Sequence, residues 1–126
     1  MAKMHTKYIG DLSASTETPI SETPIQTKVG LFSPVDLLST ALASCTVSYI
    51  ASISKKNNID ISNLSSVVNS TMDAQHTKVT DFDIIITLDS PILEEHKAII
   101  QHAASTCPVS NTIASDVKKN YTFIYN

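Results

Sequence analysis

One stretch constrains the fold of this chain more than any other: residues 37–54 carry no charge at all. They lie inside SPVDLLSTALASCTVSYIASISKK, residues 33–56. Ser33 suits an N-cap, and Pro34 suits the first helical position, where its missing N–H costs nothing. Asp36, three residues after the cap, can close a capping box at the positive end of the helix. Leu38, Ala41, Leu42, Cys45, Tyr49 and Ser52 recur at helical spacing and mark one face. Leu37, Ala43, Val47, Ile50 and Ala51 fill much of the rest. A helix apolar nearly all round is a buried one. Lys55 and Lys56 stand at its negative end, and Asn57-Asn58 stop it. A membrane span needs about 20 mostly apolar residues. Ser39, Thr40, Ser44, Thr46, Ser48, Ser52 and Ser54 interrupt this one. The stretch therefore reads as a soluble core helix with Cys45 in its middle, and no membrane partner is expected.

Composition narrows the partners further. At 126 residues the chain reads as one domain, 1–126, able to bury about two-thirds of its unfolded surface. A net charge of −3 and a pI near 5.7 argue against nucleic acid, because phosphate binding wants a basic surface. All nine positive residues are Lys, so bidentate guanidinium chemistry is excluded. The opening MAKMHTKY is too polar for a signal peptide, and two Cys do not make a secreted disulfide framework. A cytoplasmic location is the expectation.

In chain order, residues 4–12, 12–20 and 25–29 read as short strands, with Pro19, Glu22 and Pro24 marking turns. Gly30 releases the chain into the long helix. Residues 64–73 and 81–88 read as two further strands, the second with Phe82, Ile84, Ile86 and Leu88 on one face. Ser90-Pro91 repeats the cap logic of Ser33-Pro34 and predicts a second helix start. Cys107-Pro108 opens a third helix, predicted over residues 108–117. Tyr121, Phe123 and Tyr125 alternate as a last strand. Segregated runs of strand and helix predict an α+β fold with mainly antiparallel sheet.

The chemistry-bearing candidates are the two thiols. Free Cys often merely packs in a core, and that bland reading stays open at this point. Cys107, beside an N-cap, can feel the helix dipole, which lowers a thiol pKa. Cys45 sits about three turns into its helix, where that effect has faded, so any stabilised thiolate there needs a tertiary neighbour. His96 and His102 fall on opposite sides of a helix and do not pair with the thiols at metal-ligand spacing. Neither metal nor cofactor is expected, and no glycine-rich phosphate loop is present.

SPVDLLSTALASC, the later CPVS and the opening KYIGDL resemble the OsmC/Ohr family, the osmotically inducible protein C and organic hydroperoxide resistance proteins. The likeness runs over roughly residues 7–125. It implies an OsmC-like fold, an antiparallel sheet with a long buried central helix and two further helices. It implies a thiol peroxidase: Cys45 attacks an organic hydroperoxide and becomes a sulfenic acid. Cys107 condenses with it to a disulfide, and an external dithiol reduces that. It also implies an intertwined homodimer with active sites at the subunit interface. Asp36 fills the place of the family's carboxylate. The family's Arg follows GDL, where this chain has Ser13; Lys7, Lys28 or His5 would replace it only as a point charge. Nine residues separate Asp36 from Cys45, which is about half a turn out of phase and about 13 Å along one helix axis. Asp36 is therefore expected to act through an intermediary or from the partner subunit. The rival expectation is a non-peroxidatic module of the same fold that binds a small apolar ligand at the dimer interface.

Overall fold

The long helix forms as its sequence predicts. In the computed structural model, which describes residues 3–126, α1 spans Pro34–Lys56. Its start is the expected capping box. The Ser33 backbone N–H donates to Asp36 Oδ2 at 2.8 Å, and the Asp36 N–H donates back to Ser33 Oγ at 3.2 Å. Before it come three antiparallel strands, β1 (His5–Gly10), β2 (Ser13–Thr18) and β3 (Ser21–Lys28), paired in chain order. Asp11 and Leu12 turn the first hairpin, both at positive φ, a twist that matches the flanking strands. This sheet and the first residues of α1, up to Leu38, form one compact unit.

The second unit runs from Ser39 onward. It holds β4 (Leu64–Met72), β5 (Val79–Leu88), α2 (Glu94–Ser105), α3 (Pro108–Thr112) and β6 (Lys118–Tyr125). β5 lies at the centre of a sheet ordered β4-β5-β6. β4 pairs with it antiparallel and β6 parallel, so the sheets are antiparallel apart from this last pairing. Phe82, Ile84, Ile86 and Leu88 are buried, as their alternation predicts. Leu42 and Ile50 of α1 and Ile100, Ala103 and Ala104 of α2 complete the core against them. The architecture is α+β, with the central helix packed on the sheet.

Three expectations about elements need correction. α2 does not start at Ser90-Pro91: its N-cap is Leu93, with no side-chain cap. The Ser90 hydroxyl is taken instead by Ser62, accepting from its N–H and donating to its carbonyl, each at 2.9 Å. α3 ends at Thr112, because Ile113 is already extended; Val109, Ile113 and Val117 mimic helical spacing yet reach the core from a broken segment. The buried face of α1 is also rotated from the expected one. Ser39, Leu42, Thr46, Ile50 and Ser54 are buried, whereas Leu38, Ala41 and Ser52 are exposed and Cys45 and Tyr49 stand at the edge. Small hydroxyl residues let the helix approach the sheet closely, and Thr46 satisfies its own proton on the Leu42 carbonyl at 2.7 Å. By length and composition α1 is apolar enough to cross a bilayer. Its packing on β4-β5-β6 makes it the core helix of this fold.

Candidate thiol site

Two residues 62 positions apart in sequence are set against one another by three elements. Cys45 lies on α1 at the margin of the buried stripe and is half-buried. Cys107 is the N-cap of α3 and is fully buried. Both thiols are free. The turn between α2 and α3 is tied down from several sides. The Thr106 N–H reaches the Ala103 carbonyl, the Asn111 N–H reaches the Cys107 carbonyl at 3.0 Å, and Asn111 Nδ2 donates to the Thr106 carbonyl at 3.1 Å. Ser110 Oγ and the Tyr121 hydroxyl share a 2.7 Å hydrogen bond that joins α3 to β6.

These restraints direct groups at both sulfurs. The Val109 backbone N–H donates to Cys45 Sγ at 3.5 Å, which is the tertiary neighbour the sequence demanded. Thr46 Oγ1 lies 3.9 Å from Cys107 Sγ. Burial pushes the Cys107 thiol above its ordinary range, and the adjacent Cys45 thiol pushes it further. The Ser110 amide pulls the other way without forming a cap hydrogen bond. The expectation that a helix start would lower this pKa is thus overturned. α3 is only five residues long, and a sulfur removed from water loses more than so short a dipole restores. The Tyr121 hydroxyl is also raised by burial.

The remaining candidates are placed elsewhere in the chain. The Asp36 carboxylate accepts from the Ser33 N–H and hydroxyl, at 2.8 and 3.1 Å. Of the cations considered in place of Arg, Lys28 is ion-paired to Asp11 on the first sheet. His5 and Lys7 are exposed on β1. Among the described residues no group of three or more His, Cys, Asp or Glu is arranged to hold a metal ion. A cavity of about 380 Å³ opens between α1 and α2, lined by Tyr49, Ile53, Ile99, His102 and Thr106 among others. Tyr49 is one turn beyond Cys45, and Thr106 directly precedes Cys107.

Sequence reasoning missed Thr46, Val109, Ser110 and Tyr121. Thr46 sits beside a candidate thiol, and Val109 and Ser110 lie within the CPVS run, so their neighbourhood was visible. Their roles were not, because a backbone amide and a buried hydroxyl leave no residue-type signature. Chemically, the arrangement offers an accessible thiol with a hydrogen-bond donor on its sulfur and a second, sheltered thiol beside it.

Comparison with known proteins agrees with this fold. The family described as OsmC-like protein matches residues 27–122. A protein of Psychrobacter arcticus 273-4, named for osmotic stress induction and a detoxification response, is 30% identical; the match covers 100% of this chain and 96% of that one, with a TM-score of 0.85. An OsmC-like protein of Mycoplasma pneumoniae is 20% identical over 99% of this chain and 96% of that one, with a TM-score of 0.86. An organic hydroperoxide resistance protein OsmC of Legionella pneumophila is 19% identical over 98% and 95%, with a TM-score of 0.75. The last two likenesses speak to the fold alone. No curated protein matches the chain. With its central helix, its strand order and most of its length accounted for, the chain belongs to the OsmC-like protein family.

Proposed function

We propose that the protein reduces organic hydroperoxides with Cys45 as the attacking thiol and Cys107 as the resolving one. The observation that carries this reading is the pairing of two free thiols with opposite exposure, Cys45 half-buried and Cys107 sealed. A peroxide can reach the first and not the second. The Cys45 thiolate attacks the terminal oxygen, the O–O bond breaks, and the alkoxide leaves as an alcohol after taking a proton. Cys45 is then a sulfenic acid. Cys107 sulfur attacks it, the S–O bond breaks, and water leaves as the disulfide forms. An external dithiol returns both thiols. The Val109 amide supports the Cys45 thiolate in a chain that has no Arg. Asp36, committed to Ser33, acts indirectly or from the partner subunit of a homodimer. The name of the Legionella relative supports hydroperoxide as the substrate class. A cytoplasmic setting, where dithiol reductants are abundant, fits free thiols.

One equivalent of cumene hydroperoxide, added to the reduced protein at pH 8, is expected to consume both thiols within a single chain. In Cys107→Ser the reaction stops at a Cys45 sulfenic acid, open to overoxidation. In Cys45→Ser the remaining thiol reacts far more slowly. Survival of both thiols in excess peroxide sinks the peroxidase reading. The second reading, a module that binds a small apolar ligand, then takes its place; the apolar cavity beside Tyr49 and the lack of Arg favour it.

A further inference from the structure

Thr46 follows Cys45 in α1 but faces inward, and it is fully buried. A hydroxyl has one proton to donate. Thr46 Oγ1 gives its proton to the Leu42 carbonyl one turn back, at 2.7 Å. The same oxygen lies 3.9 Å from Cys107 Sγ, which is buried as completely. With its proton committed, Thr46 meets that sulfur with a lone pair, and the Cys107 S–H becomes the donor, though a weak one. Ionising Cys107 would leave a thiolate against that lone pair, or oblige Thr46 to abandon Leu42 and donate to sulfur.

We infer that Thr46 is a positioning residue that holds Cys107 in its thiol form and thereby slows disulfide closure. The inference rests on the reading of Cys107 as the resolving thiol. The other groups acting on this sulfur are Cys45 from α1, the Ser110 amide of α3 and Tyr121 from β6. None of them carries a positive charge that would favour the thiolate. Closure needs no further reagent: the Cys107 proton ends on the hydroxide released from Cys45 as the S–S bond replaces the S–O bond. Its rate follows the thiolate fraction of Cys107, because the thiolate is the nucleophile. A slow closure leaves the half-buried Cys45 sulfenic acid open to a small external thiol for longer.

Thr46→Val keeps the shape and removes the oxygen, whereas Thr46→Ser keeps the oxygen. The carbon chemical shift of labelled Cys107, followed against pH in the reduced protein, reads its ionisation without any peroxide. In Thr46→Val the midpoint is expected to fall, raising the thiolate fraction at a given pH about threefold, the lower range of one hydrogen bond. Thr46→Ser keeps the wild-type midpoint. Disulfide closure after one equivalent of hydroperoxide is expected to quicken by the same factor in Thr46→Val only. A Thr46→Val midpoint equal to or above wild type overturns the inference and leaves the proposed function standing. A lowered midpoint with no disulfide in any variant, wild type included, overturns the proposed function and the closure half of the inference, while the hold of Thr46 on the thiol survives.

Discussion

Two buried acids, Cys107 and Tyr121, tie the stability of this protein to alkaline pH. Burial raises the folded pKa of both. Unfolded, they ionise near about 8.5 and about 10. The unfolded chain therefore releases these protons first, and the stability from keeping them neutral is fully present below the unfolded values. It is lost as pH rises through the folded values. Urea midpoints of the reduced protein are expected to be flat to about pH 8 and to fall above it. Cys107→Ala should flatten the first part of that fall and Tyr121→Phe the later part. Tyr121→Phe should also cost about 1 kcal/mol at neutral pH, because Ser110 Oγ loses its partner. A further residue-scale prediction concerns Ser54, whose buried hydroxyl has no partner among the described residues. Ser54→Ala should raise stability by about 1 kcal/mol by removing an unsatisfied group and improving helix propensity. An unchanged or lowered denaturation midpoint would refute it. Both thiols were legible as candidates from their sequence contexts. What they experience was not, since the burial of Cys107 depends on α1, α2 and β6 closing over it.

Among the elements, the helix starts separate what a sequence can show from what it cannot. Ser33 and Asp36 make a complete local device, and local devices can be read directly. Ser33→Ala is expected to cost about 1 kcal/mol in chemical denaturation. Ser90 has the same neighbours in sequence, yet Ser62, 28 positions away, claims its hydroxyl. A long-range partner overrode a local signal. α2 is consequently left with Leu93 at its N-cap, 60% exposed and without a side-chain cap. Leu93→Ser should stabilise the protein by about 0.5–1 kcal/mol, measured the same way, with no change in the thiols. The rotated face of α1 has a similar origin. Leu38 and Ala41 looked like core by type, but close approach to the sheet selects small hydroxyl residues.

At the scale of the molecule, apolar surface remains uncovered. Leu31, Tyr8 and Leu12 are 73%, 69% and 63% exposed in the first unit, and Leu38, Ala41 and Ala51 are exposed along α1. A second copy of the chain is the occupant expected by the homodimer proposal. Sedimentation at micromolar concentration should give twice 13.6 kDa; a monomer mass would count against it. The parallel pairing of β6 has a consequence of another kind. Asp83 and Asn120 meet across 37 positions, so β6 cannot pair with β5 until α2 and α3 have carried the chain back. Pairings this distant in sequence form slowly. The shelter around Cys107, latched by Ser110 and Tyr121, is therefore among the last parts of the molecule to assemble. Until then both sulfurs belong to an open chain that any oxidant can reach. Refolding yield should depend on reductant present in the early moments and become indifferent to it once β6 has docked, so the chain is most vulnerable to peroxide before it is able to consume any.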